Sequence, residues 1–445
     1  MSRTRGGKRH ANPSSRGITE QAKKDKGRRF TNLAKQLTYE FLMENFRLLN
    51  KKAATGIDGV THQEYAKDLR KNIMNLLERV STGKYRARFV RRKYIKKQNG
   101  KLRPLGIPTI EDKLLQAAVA RILGAIYEED FTDASYGYRT GRGPKDAIRQ
   151  LTDQLRGKYS YVVEADIKGF FDHLNHEWLM KMLELRIGDG TIKRLIRKWL
   201  KAGVVAEDGI IFKPVEGTPQ GGVISPILAN IYLHYVLDLW FEREIKKNCD
   251  GEAYLIRFAD DFVALFRYAR DAEMFYHKLR ERLTKFCLEL AEEKTRIVSF
   301  SRFRKYEKTS FTFLGIEFRW GISNNGKDVI KRRTARKRLQ KAFAEITEWC
   351  RENRHQRIRK QTETMKLKLQ GHYNYYGIAG NSEGIRQFFD GTMRIWYRWL
   401  NRRSQHRSYT WKGFKEMTKQ YGIPKPRIVE QWWIKPSVQY CLELT

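Results

Sequence analysis

The sequence is poor in cysteine and has no long apolar run. Its four cysteines, Cys249, Cys287, Cys350 and Cys441, lie far apart and form no C-x-x-C pair, so the sequence indicates neither a zinc ribbon nor a disulfide framework. A run of about 18 apolar residues, which a helix needs to span a bilayer, is missing. The first residues are basic and polar without the apolar stretch of a secretory signal. We therefore expect a cytoplasmic protein with no membrane partner.

Acidic residues are too few to balance the basic ones. The 445 residues include 89 Lys and Arg against 50 Asp and Glu, a formal charge of +39. A charge of that size opposes compaction unless a polyanion neutralises it, and nucleic acid is the first candidate. The alternative is an anionic membrane surface. With 41% hydrophobic residues the chain can build real cores, and its length indicates about two to four structural units.

The composition changes near residue 330. Residues 331–445 hold 26 Lys and Arg against nine Asp and Glu, together with six of the ten tryptophans. Three stretches of this region, 332–352, 357–377 and 385–405, have the spacing of basic amphipathic helices. Upstream, residues 85–109 alternate around Gln98-Asn99-Gly100, a pattern typical of a β-hairpin with basic residues on both strands. Residues 30–50 have helical spacing, and Ser225 with Pro226 is expected as the N-cap and first turn of a long helix.

Two apolar, strand-like stretches each contain aspartate at a break. The stretch YVVEADIKGFF carries Asp166, and YLIRFADDFVALF carries the adjacent Asp260 and Asp261. Neighbouring carboxylates repel each other and are costly to remove from water. Divalent metal resolves that conflict, because carboxylate oxygens are ligands that Mg²⁺ prefers, and two such ions can serve phosphoryl transfer. A single aspartate of this kind would more often be a helix cap or a surface turn.

The motifs around these aspartates carry a family resemblance. In order, ADIKGFFD, GTPQGGVISPILANIYL, RFADDFVALF, EEKT and FLGIEF closely resemble the palm of reverse transcriptases. Upstream, TGIDGV, KLRPLGIPTIEDKLLQ and SYGYRTGRGPKDAI resemble the fingers of group II intron reverse transcriptases. Downstream, KLKLQGHYNYYG and the basic helices resemble the maturase or thumb region of that family. The resemblance covers roughly residues 30–430.

This resemblance implies a fold and a division of the chain. The expected fold is α+β, a right-hand polymerase whose fingers and palm contain an antiparallel sheet with helices, followed by an α-helical thumb or maturase domain. The predicted regions are 1–29, a basic flexible arm; 30–160, an N-terminal extension and fingers; 161–330, the palm with some fingers elements; and 331–445, the helical RNA-binding thumb. The C-terminal endonuclease module of some relatives is not expected, and a bacterial cytoplasmic protein is implied.

The resemblance also implies a function. The expected activity is RNA-directed DNA polymerisation with two Mg²⁺ ions, for which Mn²⁺ can substitute. The implied partners are an intron RNA or other RNA template, a DNA primer or target, and dNTPs, with assistance to intron splicing and mobility. Two alternatives stay open. One is a domesticated relative in DNA repair or phage defence, and the other is an RNA-binding splicing factor whose polymerase site is idle.

Catalytic roles follow by resemblance, residue by residue. Asp166 and Asp260 are expected to bind the metal ions, with the carbonyl of Ile167 as a further ligand and Asp261 as a supporting carboxylate. Phe171 matches the steric gate that excludes a ribose 2′-hydroxyl, although a plain core aromatic is the alternative.

Further positions are expected to contact nucleotide, template or primer. Lys97 and Arg103 match the residues that bind the incoming triphosphate, with Lys101 as a rival to Lys97. Lys294 is a candidate proton donor to pyrophosphate, or an ordinary surface lysine. Phe258 stands where the family often has tyrosine. The loop expected against the templating pair contains Gly217, Pro219, Gln220 and Gly221.

The C-terminal region is predicted to bind RNA through its basic residues. Its aromatic residues could stack on bases or form the helical core, and for Trp396 and Trp399, spaced i,i+3, we favour the core. The cations expected to neutralise phosphates are Arg332, Arg333, Arg336, Lys337, Lys366, Lys368, Arg402 and Arg403.

Overall fold

The computed structural model describes most of the 445-residue chain. The described residues are 13–96, 102–206, 209–212, 216–218, 221–307, 309–406 and 408–430. Three of the predicted site residues, Lys97, Pro219 and Gln220, lie outside these ranges, as does Lys101, the rival to Lys97.

The N-terminal part combines helices with a basic hairpin. The predicted hairpin is present, with β1 and β2 antiparallel. The predicted helix at 30–50 is interrupted, because Thr38 caps a new helix by accepting a hydrogen bond from the Phe41 amide at 3.2 Å. The elements are α1 (Pro13–Lys24), α2 (Tyr39–Leu48), α3 (His62–Lys67), α4 (Leu69–Ser81), β1 (Val90–Lys96), β2 (Leu102–Ile107), α5 (Ile110–Tyr127) and α6 (Pro144–Leu155), with a 3₁₀ turn at Leu33–Gln36.

The central part is built on an antiparallel sheet. The elements are β3 (Tyr161–Asp166), α7 (Phe170–His173), α8 (His176–Glu184), α9 (Gly190–Leu200), β4 (Val204–Val205), β5 (Ile211–Phe212), α10 (Ser225–Leu233), β6 (Ala253–Phe258), β7 (Asp261–Phe266), α11 (Ala269–Lys285) and β8 (Arg296–Ser299). This sheet, which we call the palm sheet, has the strand order β6-β7-β3-β8. Strand β4 does not belong to it and instead pairs with β1 of the hairpin. The prediction for Ser225 was wrong by one position. It is the first residue of α10 rather than its N-cap, and its hydroxyl pairs with that of Thr218 at 2.7 Å.

The C-terminal part is a small sheet followed by helices. The elements are β9 (Ser310–Phe313), β10 (Ile316–Ile322), β11 (Asp328–Thr334), α12 (Arg336–Asn353), α13 (Ile358–Tyr376), α14 (Ser382–Leu400) and α15 (Trp411–Gln420). The first predicted basic helix starts later than expected, because residues 328–334 pair with β10 as a strand. The predicted boundary near residue 330 therefore falls inside β11.

Among the described residues, apolar clusters of different size hold these parts together. The largest joins the N-terminal helices to one face of the palm sheet and to α10 and α11. A second lies between α6, the palm sheet and β9–β10. The third is the interior of α12–α15, where Trp396 is fully buried and donates to the Gln361 side chain at 3.0 Å. The α+β prediction is confirmed. No helix among the described ranges is long and apolar enough to cross a membrane.

Candidate active site

Three aspartates meet at one end of the palm sheet. Asp166 is the last residue of β3 and lies directly opposite Asp261, the first residue of β7. Directly opposed residues on antiparallel strands have Cβ atoms about 5 Å apart. Asp260 belongs to the two-residue turn that joins β6 to β7, where Ala259 has a φ of 57°. Strand register and a tight turn thus bring together side chains that are separated by nearly one hundred positions.

The charges at this end of the sheet oppose one another. Although Asp261 remains accessible to solvent, its pKa is raised to about 7, first by crowding of protein atoms that limits its hydration. The negative charges of Asp260 and Asp166 add to that rise. On the opposite side, the ammonium of Lys294 contacts the Asp166 carboxylate, and this hydrogen bond raises the pKa of Lys294. One cation is therefore already attracted to the cluster.

Lys294 is placed there by a backbone connection. The Ala291 amide donates to the Asp166 carbonyl at 2.9 Å, and Ile167 pairs with Leu290 in an isolated antiparallel bridge. This pairing sets the short 3₁₀ turn Glu292–Lys294 beside the end of β3. The candidate proton donor thus lies at the aspartates rather than on a remote surface.

The carboxylates suit divalent metal but form only part of a ligand set. In the ranges that the structure describes, no group of three or more His, Cys, Asp and Glu side chains is arranged to hold a metal by itself. Mg²⁺ commonly takes one or two carboxylates and fills its remaining positions with water and substrate phosphates. The opposed pair Asp166 and Asp261, with Asp260 beside them and the raised pKa of Asp261, matches that chemistry. The reverse transcriptase family generally uses divalent metals.

Phe171 and Gly217 lie against each other. Phe171 lies in α7, which follows the strand that ends in Asp166. It is partly buried against the main core and meets Phe170 edge to face, with the ring centroids 5.4 Å apart. Its carbonyl accepts a hydrogen bond from the Thr218 amide at 2.8 Å. Gly217 has a φ of 83°, and a Cβ there would stand 2.5 Å from the Asp172 carbonyl oxygen. Only glycine permits this close contact.

The same loop reaches the fingers hairpin. The Gly217 carbonyl lies 2.5 Å from Nε2 of His176. At its other end, Gly221 lies against Gly106 of β2, the strand that also contains Arg103 opposite Ile95. The loop therefore connects the Phe171 segment to the hairpin.

Phe258 ends β6 and is partly buried against the second apolar cluster. Its neighbour Arg257 points into the protein, where it forms a network with Asp238, Asn230 and Ser135 that sequence reasoning missed. The available signal was an arginine inside an otherwise apolar strand, since a buried charge needs a partner.

The predicted RNA-binding cations have different environments. Arg336 and Lys337 are exposed in the first turn of α12. Arg333 is paired with Glu317 at 2.9 Å. The prediction for Arg332 does not fit its position, because the residue is only 4% exposed and faces the buried Glu430 at 3.4 Å. Lys366 and Arg403 are partly exposed, as is Lys368, which lies over the Trp349 ring. Arg402 is exposed and lies over the Trp399 ring.

The C-terminal helices contact the turn between β9 and β10. The Tyr375 hydroxyl donates to the Leu314 carbonyl at 3.0 Å, in the turn between β9 and β10. The Ala335 amide donates to the neighbouring Gly315 carbonyl at 2.9 Å. The side chain of Arg338 in α12 packs against the same turn, and its positive charge lowers the pKa of Asp261. The exposed start of α12 therefore adjoins the site.

Comparison with known proteins agrees with this geometry. Residues 95–318 match the model of the reverse transcriptase (RNA-dependent DNA polymerase) family. The group II intron-encoded protein LtrA of Lactococcus lactis is 42% identical over 211 residues, which is 46% of this chain and 34% of the relative. Protein YkfC of Escherichia coli is 38% identical over 227 residues, 49% of this chain and 59% of the relative.

A third relative is the putative COX1/OXI3 intron 1 protein of Saccharomyces cerevisiae, 32% identical over 205 residues, which is 46% of this chain and 24% of the relative. The chain thus aligns with about a third of the length of LtrA and less of the yeast protein. Because the family model matches half of the chain and the matched part contains all three aspartates, the chain belongs to the reverse transcriptase family, with group II intron-encoded proteins among its relatives.

Proposed function

We propose that this protein is an RNA-directed DNA polymerase of the group II intron type. The observation that carries the proposal is the register of the palm sheet, which sets Asp166 directly opposite Asp261 beside the turn containing Asp260. Lys294 at Asp166 and the glycine loop behind Phe171 complete a site suited to nucleotidyl transfer. The positive charge of +39 supports nucleic acid as the partner.

The residues of the site have separate roles in this proposal. Asp166, Asp260 and the Ile167 carbonyl hold the metal ions, and Asp261 supports them. When bound, Mg²⁺ would supply neutralisation of the phosphate charge and activation of the primer 3′-hydroxyl. Lys294 holds a proton at its ammonium where the departing pyrophosphate can accept it. Phe171 excludes a ribose 2′-hydroxyl, and the Gly217 backbone supports the templating pair.

The remaining parts act on the polymer. Residues 30–160, which contain the hairpin, form an N-terminal extension and the fingers. Residues 161–330 form the palm with some fingers elements, and residues 331–445 form the thumb. Arg103 of the hairpin and Lys97 bind the triphosphate of the incoming dNTP, and Pro219 and Gln220 also contribute to dNTP binding. The exposed thumb cations Arg336 and Lys337 bind RNA phosphates. The compartment is the cytoplasm.

Templated synthesis tests the polymerase directly. Full-length protein is incubated with an RNA template, a DNA primer, dNTPs and Mg²⁺, and primer extension is followed on gels. Asp260→Asn keeps the shape and removes the charge, so we expect extension to fall by at least about 100-fold. The matched control is Asp153→Asn on α6, an exposed aspartate that pairs with its helix neighbour Arg156. Equal extension by the two variants would refute the proposal.

The role in splicing is a second part of the proposal. The curated relatives that are named for introns support an intron RNA as the natural partner. Sequencing of RNA that co-purifies with the Asp260→Asn variant tests it, since binding does not need the catalytic charge. A structured intron is the expected result. Primer extension without any enriched intron RNA would instead favour a domesticated polymerase in DNA repair or phage defence.

A further inference from the structure

A fully buried ion pair lies beneath the catalytic turn. Arg257, the residue before the end of β6, and Asp238 are both without solvent exposure. The guanidinium donates to both carboxylate oxygens, with Nε to Oδ1 at 2.7 Å and Nη2 to Oδ2 at 2.6 Å. Two charges withdrawn from water are tolerated only with such geometry and with further hydrogen bonds to the remaining donors.

The remaining donors of Arg257 connect the pair to the turn. Nη1 donates to the Ala259 carbonyl at 2.9 Å and to the Asn230 side chain at 3.1 Å. Nη2 also donates to the Ser135 hydroxyl at 2.8 Å. The Ala259 carbonyl belongs to the peptide group that joins Ala259 to Asp260. The arginine therefore holds the peptide that carries a predicted metal ligand.

This turn needs support from below. Ala259 has a left-handed φ of 57°, a conformation that is unfavourable for a non-glycine residue. Gly137 packs directly beneath it, because a Cβ at Gly137 would stand 2.3 Å from the Ala259 nitrogen. The Asn230 side chain donates to the Gly137 carbonyl at 2.7 Å. The network that binds Arg257 thus also positions the backbone on which the turn rests.

The backbone of Arg257 is held by the same segment. Its amide donates to the Ala134 carbonyl at 2.7 Å, and its carbonyl accepts from the Tyr136 amide at 2.8 Å. Asp238 reaches it from the π-helical turn His234–Asp238 that continues α10. A π turn alters the direction of side chains along a helix and is frequent near functional sites.

We propose that Arg257 is a positioning residue for polymerisation, whose guanidinium, neutralised by Asp238, orients the Ala259–Asp260 peptide so that Asp260 and Asp261 face Asp166. This inference rests on the proposed polymerase function. Arg257 touches neither nucleotide nor primer and acts only through the turn.

A double substitution separates positioning from stability. Arg257→Met with Asp238→Leu removes both buried charges together, and apolar replacement of a buried pair is often neutral for folding. We expect a melting temperature near that of the wild type and unchanged binding of an RNA–DNA duplex. The kcat for dNTP incorporation should fall about 10- to 100-fold with little change in the dNTP KM, and half-maximal activity should need more Mg²⁺.

Arg257→Lys is the second variant, because lysine keeps the charge opposite Asp238 but lacks the planar fork that also reaches Ala259 and Ser135. It should fold and lose kcat in the same way. The matched control is Arg186→Met with Asp130→Leu, another largely buried pair, joined at 2.8 Å, that contacts the N-terminal segment instead of the turn. That control should retain the wild-type kcat.

Hydrogen exchange provides a readout that does not depend on activity. Amides of Phe258–Phe262 should exchange at least about 10-fold faster in the Arg257/Asp238 double variant than in the wild type or the Arg186/Asp130 control. Wild-type kcat together with wild-type exchange in the double variant would overturn the proposal. If the wild type itself incorporates no dNTP, the polymerase function fails, while the exchange comparison still decides whether Arg257 orders the turn.

Discussion

The palm and the helical thumb use charge in opposite ways. In the palm, aspartates are concentrated at one end of a sheet, and their positions follow from strand register and from a supported turn. In the thumb, cations are spread over exposed helix faces around an apolar interior built on residues such as Trp396. A charge held by the backbone in a crowded site has an individual role, whereas a dispersed exposed charge contributes mainly to a sum.

Arg332 is the exception to this contrast and leads to the largest expected effect on stability. It lies in β11 with its guanidinium facing Glu430, whose side chain is fully buried and also accepts from the Ala379 amide at 2.6 Å. Arg332→Gln removes the nearer of two arginines from that carboxylate, because Arg149 lies 3.9 Å from its other oxygen, so we expect a loss of roughly 2 kcal/mol in the free energy of unfolding. Urea denaturation measures it.

The adjacent Arg333 is the matched control for Arg332. It is half exposed and pairs with Glu317, so Arg333→Gln should cost less than about 1 kcal/mol. Neither substitution should change the salt dependence of RNA binding by as much as the exposed cations of α12 do. If Arg332→Gln is as stable as Arg333→Gln but binds RNA more weakly, Arg332 belongs with the dispersed cations after all.

Phe171 tests whether a palm residue has an individual role beyond the carboxylates. Its ring is partly buried, so a structural function alone is the competing explanation. Phe171→Ala should admit ribonucleotides and reduce the preference for dNTP over NTP by about 100-fold, because a steric contact is removed. Phe171→Tyr keeps the ring and should keep the preference. The measurement is the ratio of kcat/KM for matched dNTP and NTP substrates, and an unchanged ratio in the alanine variant would make Phe171 a core aromatic only.

Sequence reasoning predicted the parts of the fold and site that depend on local patterns. Residue periodicity and motif order predict the hairpin within residues 85–109, the strands ending in Asp166 and Phe258, and the burial of Trp396. The Arg257 network was not predictable in this way, since its partners Ser135 and Asp238 lie 122 and 19 positions away in the chain. Tertiary contacts of that range leave no local pattern.

The prediction of Arg332 as an exposed RNA-binding cation failed for a different physical reason. Its stretch was interpreted as the start of a basic helix, but β11 continues through Thr334 and alternates its side chains. Arg332 and Thr334 are buried, whereas Lys331 and Arg333 are exposed. Pairing with β10 holds residues 328–334 in a strand, although the residues that follow favour a helix.

The exposed start of α12 sharpens the thumb side of the comparison. Arg336→Gln with Lys337→Gln removes two exposed cations next to the palm. If each binds one RNA phosphate, the slope of log affinity against log salt should become shallower by about 1.4. Arg270→Gln with Arg280→Gln on α11 removes the same charge from an exposed palm helix and should alter the slope less. Equal changes of the slope in the two double variants would mean that RNA binding depends only on the net charge of the protein.

The smallest expected effect comes from two histidines, the buried His234 in the palm and the partly buried His372 in the thumb. Burial lowers the pKa of His234 in the palm and of His372 in the thumb to about 4, from an ordinary value of 6.5. Both are therefore neutral in the folded protein near pH 6, whereas the unfolded chain binds protons there. Their contribution to stability is complete above about pH 6.5 and is lost as the pH falls towards 4. Between pH 7.5 and 5.5 each histidine should lower the free energy of unfolding by on the order of 1 kcal/mol, measured by urea unfolding.

His372→Phe, which keeps the stack on the Phe388 ring, should remove the thumb share of this pH dependence and leave the palm share intact. An unchanged pH dependence in that variant would mean that His372 does not contribute to the acid sensitivity of the fold.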